Sequence, residues 1–242
     1  GLGGFSSVWL LNCKVENCSF SGWGFGIRCM YAYYSTFQKL TFNWNDVCMY
    51  HRGLNGTAVS ECIFHQSIEG VNEFYSSVQN IYRGCWFEGL DIGLKSSYGR
   101  LSYLDGCYFE NINLHAIRST SSVIAVACSF QVYMADEHIF MLRLGTDNVS
   151  YRDPNLVMIG CTITCDKNFD VSIYQYCSVT LINNTYVSSG VEPIDVSFSR
   201  ASPILTRLND ANGTITTLSP EISGKTSLSH YGSSSHRITG SK

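Results

Sequence analysis

A short signature returns seven times along the chain: a small or apolar residue followed two positions later by an aromatic or apolar residue. Successive signatures begin 22, 22, 23, 22, 21 and 33 residues apart. A fixed period in the low twenties is typical of a solenoid, in which each coil contacts only its neighbours. The seven pairs are Cys18/Phe20, Leu40/Phe42, Cys62/Phe64, Cys85/Phe87, Cys107/Phe109, Cys128/Phe130 and Cys161/Ile163.

The residue types within each period favour strands. The two residues of a pair point to the same side of an extended strand, and the segments around them, such as 62–64 and 107–109, are rich in β-forming residues. Gly, Asn, Asp and Ser lie between these segments, where turns are expected. The sequence therefore predicts an all-β fold. We expect a right-handed parallel β-helix with three short strands per coil, coils of about 22 residues and like residues stacked about 4.8 Å apart.

The chain contains 11 cysteines, and most signatures begin with one. In a secreted chain this number would indicate a disulfide framework. Residues of a single phase, however, stack inside the coil, where cysteine serves as a small apolar side chain. We therefore expect a column of buried free thiols, although neighbouring sulfurs could come close to one another. Free thiols imply folding in a reducing cytosol.

Composition excludes several classes of function. The 242 residues are 45% hydrophobic and 14% charged, with a net charge of −3, which suffices for one core. There is no basic patch, so we expect no nucleic-acid partner, and no apolar run is long enough for membrane insertion. The six histidines show no metal-ligand spacing and there is no phosphate-binding glycine loop, so neither a metal nor another cofactor is expected.

The repeat also divides the chain. It is regular from about residue 8 to 144, a loop at 148–155 lengthens one coil, two more turns follow, and the pattern ends after Ser199. We predict a parallel β-helix over 1–199, with N-terminal coils missing. Because an open strand edge invites aggregation, we expect a short β-rich C-terminal cap of capping or trimer-contact strands at 200–222. A flexible or partner-dependent tail at 223–242 would follow.

The repeat, the free thiols and the short β-rich extension resemble the β-helical tailspikes of tailed bacteriophages, within the pectate-lyase-like superfamily. The resemblance covers residues 8–199 and rests on repeat geometry and composition. It implies a homotrimer that binds, and often cleaves, a bacterial surface polysaccharide such as a capsule or an O-antigen. It also implies a place in the virion, at the phage tail, after folding in the bacterial host cytoplasm. Other phage tail proteins would attach through the missing N-terminal part.

Two acidic residues are the candidate catalytic groups. Glu88 and Glu110 follow the inward aromatic on adjacent coils, which brings their backbones within roughly 5 Å, and His65 lies one rung away. Two carboxyl groups so placed could act as acid and base or nucleophile, as in retaining glycosidases, where they lie about 5–5.5 Å apart. The alternative is that stacked polar residues at a corner splay into water. The full column is Ser21, Asn43, His65, Glu88, Glu110 and Gln131.

Two further sets of side chains are candidates for substrate binding, together with His65. Trp86 and Tyr108, on successive rungs, would form a flat platform for sugar rings, unless they bury against another subunit. Lys95 and Arg118 belong to or adjoin a column eight positions beyond the aromatic, and would suit a uronate-rich capsule or a lyase. They could equally be scattered surface cations. That column is Arg28, Tyr50, Asn72, Lys95, Ile117 and His138.

Two classes of function follow from these residues and from the resemblance. The first is an enzyme, a polysaccharide depolymerase that is a glycoside hydrolase in preference to a lyase. The second is a non-catalytic trimeric module, a glycan-binding or structural stalk of a tail fibre.

Overall fold

The computed structural model shows a parallel β-solenoid of about six turns. In the part of the chain that it describes, all regular structure is β. This confirms the predicted all-β fold built from stacked coils of about 22 residues. The described residues are 4–74, 79–97, 101–132, 140–142, 155–165, 169–174, 178–188, 194–199, 204–210, 214–220, 226–232 and 237–239.

As far as β23 the strands follow one another in groups of three, one group per coil, except in the third coil, which has two. The first two coils consist of β1 (Phe5–Leu11), β2 (Lys14–Glu16), β3 (Ser19–Ser21), β4 (Phe25–Tyr33), β5 (Thr36–Gln38) and β6 (Thr41–Asn43). In the third, β7 (Val47–Ser60) runs round one corner as a single strand before β8 (Ile63–His65). The next two coils consist of β9 (Glu69–Phe74), β10 (Gln79–Arg83), β11 (Trp86–Glu88), β12 (Ile92–Ser97), β13 (Leu101–Asp105) and β14 (Tyr108–Glu110).

The later strands continue this order. They are β15 (His115–Ser119), β16 (Ser122–Val126), β17 (Ser129–Val132), β18 (Phe140–Leu142), β19 (Asn155–Ile159), β20 (Thr162–Cys165), β21 (Phe169–Tyr174), β22 (Ser178–Ile182) and β23 (Thr185–Ser188). The last are β24 (Ile194–Ser199), β25 (Ile204–Asp210), β26 (Thr214–Pro220), β27 (Thr226–Gly232) and β28 (Arg237–Thr239).

Strands of neighbouring coils pair in parallel and in register. The third strands form one eight-stranded sheet from β3 to β23, in which Phe42 pairs with Phe64, Phe64 with Phe87 and Phe87 with Phe109. Because strand pairing repeats once per coil, residues one period apart become direct neighbours. The repeat in the sequence is therefore a set of columns in space.

The predicted inward column is a continuous stack of aromatic rings. The rings of Phe64 and Phe87 lie 4.7 Å apart at 13°, and those of Phe87 and Phe109 lie 4.5 Å apart at 4°. The six phenylalanines from Phe20 to Phe130 stack in this way, and all but Phe20 are fully buried. Each buried phenylalanine contributes roughly 1.5–3 kcal/mol through removal of apolar surface from water. The stack therefore holds successive coils together.

Several corners turn through a left-handed residue that is followed by an inward polar or thiol side chain. At the corner before the third strand, Gly84 and Gly106 have φ values of 57° and 58°, which glycine adopts without a Cβ clash. The next residue then bonds backward: Cys85 Sγ donates to the carbonyl of Arg83 at 3.6 Å. At another corner Asn184 bonds to the preceding coil instead, and its Oδ1 accepts from Cys161 N at 2.8 Å. Cysteine recurs here because a thiol can bond weakly to a carbonyl in an apolar interior.

The predicted column of buried free thiols is confirmed. Five cysteines stack in one phase without disulfides, whereas Cys18, in the first coils, is exposed. Burial raises the pKa of two interior thiols outside this column, that of Cys48 to about 12 and that of Cys29 to about 11, which keeps both of them protonated at pH 7. A protonated thiol is a poor nucleophile. The five cysteines that stack in one phase are Cys62, Cys85, Cys107, Cys128 and Cys161.

Toward the C-terminus the pairing changes direction. Strand β24 pairs in parallel with β21, and β25 pairs in parallel with β22. Strand β26 then runs antiparallel to β25, β27 to β26 and β28 to β27. Parallel pairing thus extends to Ile204–Asp210, beyond Ser199. The division into 1–199, 200–222 and 223–242 stays a prediction, and most of the loop at 148–155 lies outside the described residues.

One region of the interior is polar. Glu73, which is 1% exposed, accepts hydrogen bonds on Oε1 from Asn80 Nδ2 at 2.7 Å and Tyr82 Oη at 2.5 Å, and on Oε2 from Ser102 Oγ at 2.6 Å. His51 Nε2 lies 3.1 Å from Tyr82 Oη. Because the tyrosine proton goes to Glu73, His51 Nε2 carries the proton that bonds to Tyr82. We call these five residues the interior polar cluster.

Burial decides the protonation of this cluster. It lowers the pKa of His51 from 6.5 to about 4, and the nearby Glu73 opposes that shift only in part. The pKa of Tyr82 is raised well above 10 by burial and by the adjacent Glu73. The imidazole of His51 is therefore neutral at pH 7, and its buried Nδ1 has no hydrogen-bond partner among the described residues.

Candidate functional site

The third-strand sheet presents two outward columns, one on each side of the buried phenylalanine stack. Pairing of β8, β11 and β14 puts Glu88 directly between His65 and Glu110, and Trp86 between Ile63 and Tyr108. Both columns were predicted from the repeat, and the register confirms their alignment. The outer face of the third-strand sheet therefore carries two ordered rows of side chains.

Glu88 and Glu110 therefore lie on adjacent rungs, and His65 contacts the first of them. His65 Nε2 lies 3.8 Å from Glu88 Oε2, and the two side chains are 31% and 32% exposed. Glu110 is half-buried. The three side chains form an accessible group of two carboxyls and one imidazole, which is chemically suited to proton transfer. Their roles in catalysis and binding stay predictions.

Trp86 and Tyr108 do not form the flat platform that the sequence suggested. Their ring centroids are 5.3 Å apart, but the ring planes meet at 82°, so the edge of one ring faces the other. Edge-to-face packing is a favourable geometry for neighbouring aromatic rings. A sugar could then stack on only one of them at a time. Trp86, 42% exposed, is the more accessible candidate.

The column of cations differs from the prediction by one residue. In the register of β12 with β15, Lys95 lies opposite Arg118, whereas Ile117 lies opposite Leu94 and is fully buried. The cause is the corner after Glu110, which has one more residue than the corner after Glu88. Arg118, not Ile117, therefore continues the column, and His138 lies outside the described residues.

Lys95 is already engaged by an acidic residue. Its Nζ lies 2.5 Å from Glu69 Oε1, and Glu69 Oε2 accepts from Asn72 Nδ2 at 2.5 Å. Both Lys95 and Arg118 lie on the first-strand face, whereas Glu88 lies on the third-strand face. The structure therefore brings Trp86, Tyr108 and His65 to the carboxyl pair but does not bring Lys95 and Arg118 there.

A groove at the neighbouring corner is a feature that the sequence reasoning missed. It is open, has a volume of about 390 Å³ and begins at Gly89, the residue after Glu88. Trp44 forms one wall and is 65% exposed. We call it the corner groove, and it is lined by Trp44, Asn45, Gln66, Ser67, Ile68, Gly89 and Asp91.

Hydrogen bonds between coils fix the floor of the corner groove. Asn45 Oδ1 accepts from Trp23 N at 3.0 Å, and its Nδ2 donates to Phe20 O at 3.1 Å. Ser67 Oγ accepts from Asn45 N at 2.9 Å and donates to His65 O at 2.9 Å. These bonds satisfy corner backbone groups that would otherwise lack partners. The groove is thus preformed.

Trp44 has an unusual backbone conformation that a sequence pattern could have suggested. Its φ is 53°, in the left-handed region, where the equivalent residues of adjacent coils are Gly22 and Gln66. A bulky residue is uncommon there, and such outliers often mark function. The period alone places Trp44 in the glycine and amide column, where a tryptophan is out of place.

Two other findings concern chemistry and location. No group of three or more His, Cys, Asp and Glu side chains among the described residues is arranged to hold a metal ion. Over the same ranges, no helix has the length and apolar character needed to span a membrane.

No protein-family model, curated protein or solved structure matches this chain. The parallel β-solenoid fold is compatible with a polysaccharide-binding or tailspike-like protein.

Proposed function

We propose that this chain is the β-helix of a phage tailspike that binds a bacterial surface polysaccharide and cleaves it as a glycoside hydrolase. The observation that carries the proposal is the pairing of Glu88 with Glu110 on an accessible sheet, beside Trp86 and the corner groove. Carboxyl pairs flanking an aromatic surface and an open groove suit a polymeric sugar substrate.

The carboxyl pair suggests how hydrolysis would proceed. One carboxyl group would protonate the glycosidic oxygen as it leaves, and the other would attack the sugar or activate water. Adjacent parallel strands are about 4.8 Å apart, close to the roughly 5–5.5 Å carboxyl separation of retaining enzymes. Trp86 would hold a neighbouring sugar ring by stacking, with His65 bonding to its hydroxyl groups.

Hydrolysis is favoured over elimination because of where the cations lie. A lyase neutralises a uronate carboxylate with a cation and then abstracts the neighbouring proton. Lys95 is paired with Glu69, and both Lys95 and Arg118 belong to another face of the coil. Neither cation is on the sheet that carries Glu88 and Glu110.

A non-catalytic stalk is the second candidate. The third-strand sheet exposes Ile63 and Trp86, at 39% and 42%, on adjacent rungs. An apolar column of this kind could be covered by other subunits of a homotrimer. In that arrangement the chain would bind glycan or space other phage tail proteins without turnover.

The test uses purified capsular and O-antigen polysaccharides, incubated with the full chain and analysed by size-exclusion chromatography with ultraviolet detection. Hydrolysis shortens a polysaccharide without new absorbance, whereas elimination creates an absorbing unsaturated uronate. We expect Glu88→Gln and Glu110→Gln each to lower the rate about 100-fold or more, with binding retained. Glu61→Gln, an exposed glutamate at another corner, is the matched control.

Each alternative has its own result. Shortening that persists in both glutamine variants would exclude the carboxyl pair. Binding without shortening by the unmodified chain would favour the stalk.

A further inference from the structure

We propose that the corner groove binds an uncharged sugar residue of the polysaccharide, with Trp44 stacking on its ring and Asp91 accepting hydrogen bonds from its hydroxyl groups. This inference rests on the proposed function and narrows its substrate class. It replaces the expectation of a uronate-rich ligand.

The charge of the corner groove disfavours an anionic sugar. Asp91 is the one charged residue among those that line it, and none of them is a cation. Glu88 directly precedes Gly89 of the lining, and Asp46 is exposed beside Asn45. A uronate carboxylate would meet like charges without a compensating cation, which is unfavourable. An uncharged ring avoids this repulsion.

Trp44 supplies the apolar part of the recognition. Its side chain is 65% exposed, although its backbone takes the left-handed conformation at a φ of 53°. Packing of the indole contributes little in the free protein, because most of its surface faces water. A sugar ring stacked on the indole would cover that surface.

The polar lining of the corner groove offers both hydrogen-bond acceptors and donors to sugar hydroxyl groups. Asn113 Nδ2 donates to Asp91 Oδ1 at 2.9 Å, which orients the carboxylate across two coils. Asp91 Oδ2 has no hydrogen bond among the described residues and can accept from a sugar hydroxyl. The Gln66 side chain can donate and accept. Hydroxyl groups, which also donate and accept, match this lining.

The size of the corner groove fits a saccharide rather than a protein segment. Its volume of about 390 Å³ lies near the lower end of the roughly 300–1,000 Å³ that small-molecule sites occupy. Because the groove is open and adjoins Glu88, a longer chain could extend from it toward the carboxyl pair. The corner groove would then position one sugar residue while its neighbour reaches Glu88.

The experiment compares ligands that differ only in charge. A uronate-containing capsular polysaccharide and its carboxyl-reduced, neutral form are titrated into the full Glu110→Gln chain, in which we expect cleavage to be about 100-fold slower or more. Neutral O-antigens are titrated alongside. We expect the neutral form to bind at least roughly tenfold more tightly. Asp91→Lys should reverse that preference, and Trp44→Ala should weaken neutral binding roughly tenfold. Trp9→Ala, which removes a tryptophan that is 61% exposed in strand β1, is the matched control and should not change binding.

The outcomes separate the two proposals. Preference for the charged form, or equal binding by the Trp44→Ala and Trp9→Ala chains, would overturn the groove assignment while leaving polysaccharide binding intact. Absence of binding to every polysaccharide would overturn the proposed function and the groove assignment together.

Discussion

The solenoid contains two histidine–glutamate pairs that have the same nitrogen–oxygen distance, one buried in the interior and one on the surface. His51 and Glu73 are neighbours on paired strands with Nε2 and Oε1 3.8 Å apart, and His65 and Glu88 are neighbours with Nε2 and Oε2 3.8 Å apart. The first pair is at most 1% exposed, and the second is about one-third exposed. Strand register creates both contacts, and the side of the strand decides their environment.

The difference teaches what each pair can do. Burial forces the carboxylate of Glu73 to take three hydrogen bonds from protein donors, which ties β9 to β10 and β13. These bonds leave no place for a ligand. Glu88 has one imidazole contact, solvent access and the corner groove beside it. The interior pair therefore contributes to stability, and the exterior pair is the one that is accessible for the binding and catalysis that we propose.

The largest expected effect comes from deleting the two carboxylates in turn. Glu73→Ala leaves Asn80, Tyr82 and Ser102 without their buried acceptor, and we expect a loss of about 3 kcal/mol or more in the free energy of unfolding. Glu88→Ala should cost about 0.5 kcal/mol or less, since surface pairs contribute little. Urea denaturation measures both. Equal losses would show that the two pairs do not differ as described.

The pH dependence of stability isolates the interior histidine. The pKa of His51 is 6.5 when unfolded and about 4 when folded, so the unfolded chain binds the proton first as the pH falls. The contribution of His51 to the free energy of unfolding is therefore complete above pH 6.5 and is lost progressively as the pH falls toward 4. The total loss is about 3 kcal/mol.

His51→Gln tests that assignment. Urea denaturation at intervals between pH 7 and pH 4 should show a shallower loss of stability in this variant than in the unmodified chain. His65→Gln, the exterior counterpart, should retain the steep loss. Parallel curves for the unmodified and His51→Gln chains would remove His51 from the explanation.

An effect smaller than those of Glu73 and His51 is expected at the corner groove. Trp44→Asn places in the left-handed position a residue type that other corners use, at Asn12, Asn17 and Asn111. We expect a gain of about 1 kcal/mol in the free energy of unfolding, because relief of strain exceeds the loss of a mostly exposed side chain. Thermal denaturation measures it, with Trp86→Asn, in a regular strand, as a control that should not gain. A destabilised Trp44→Asn chain would mean that the indole is held by packing.

Much of the fold could be predicted because the repeat is a local signal. The Cys62/Phe64 type of pair gave the inward stack, and the residues beside it gave the neighbouring positions of Glu88 and Glu110. Counting from one aromatic failed where a corner changed length: the additional residue between Glu110 and His115 shifted the cation column from Ile117 to Arg118.

Other parts of the site depend on information outside a single coil. The angle between Trp86 and Tyr108 is a matter of side-chain rotamers, which the period does not specify. The corner groove arises where three coils meet, so no short motif contains it. The interior polar cluster did leave a signal, since His51 and Glu73 are one period apart, but that signal appears only when the period is applied to polar residues.

The corner column that contains Trp44 has a consequence for protein engineering. Gly22, Trp44, Gln66, Gly89 and Asn111 share one backbone conformation, yet their side chains range from a hydrogen atom to an indole. The scaffold accepts this range because the side chain at that position points away from the core. A library randomised at these five positions alone would vary a row of contacts at a fixed spacing without redesign of the interior. The solenoid could in this way be directed to new ligands one coil at a time.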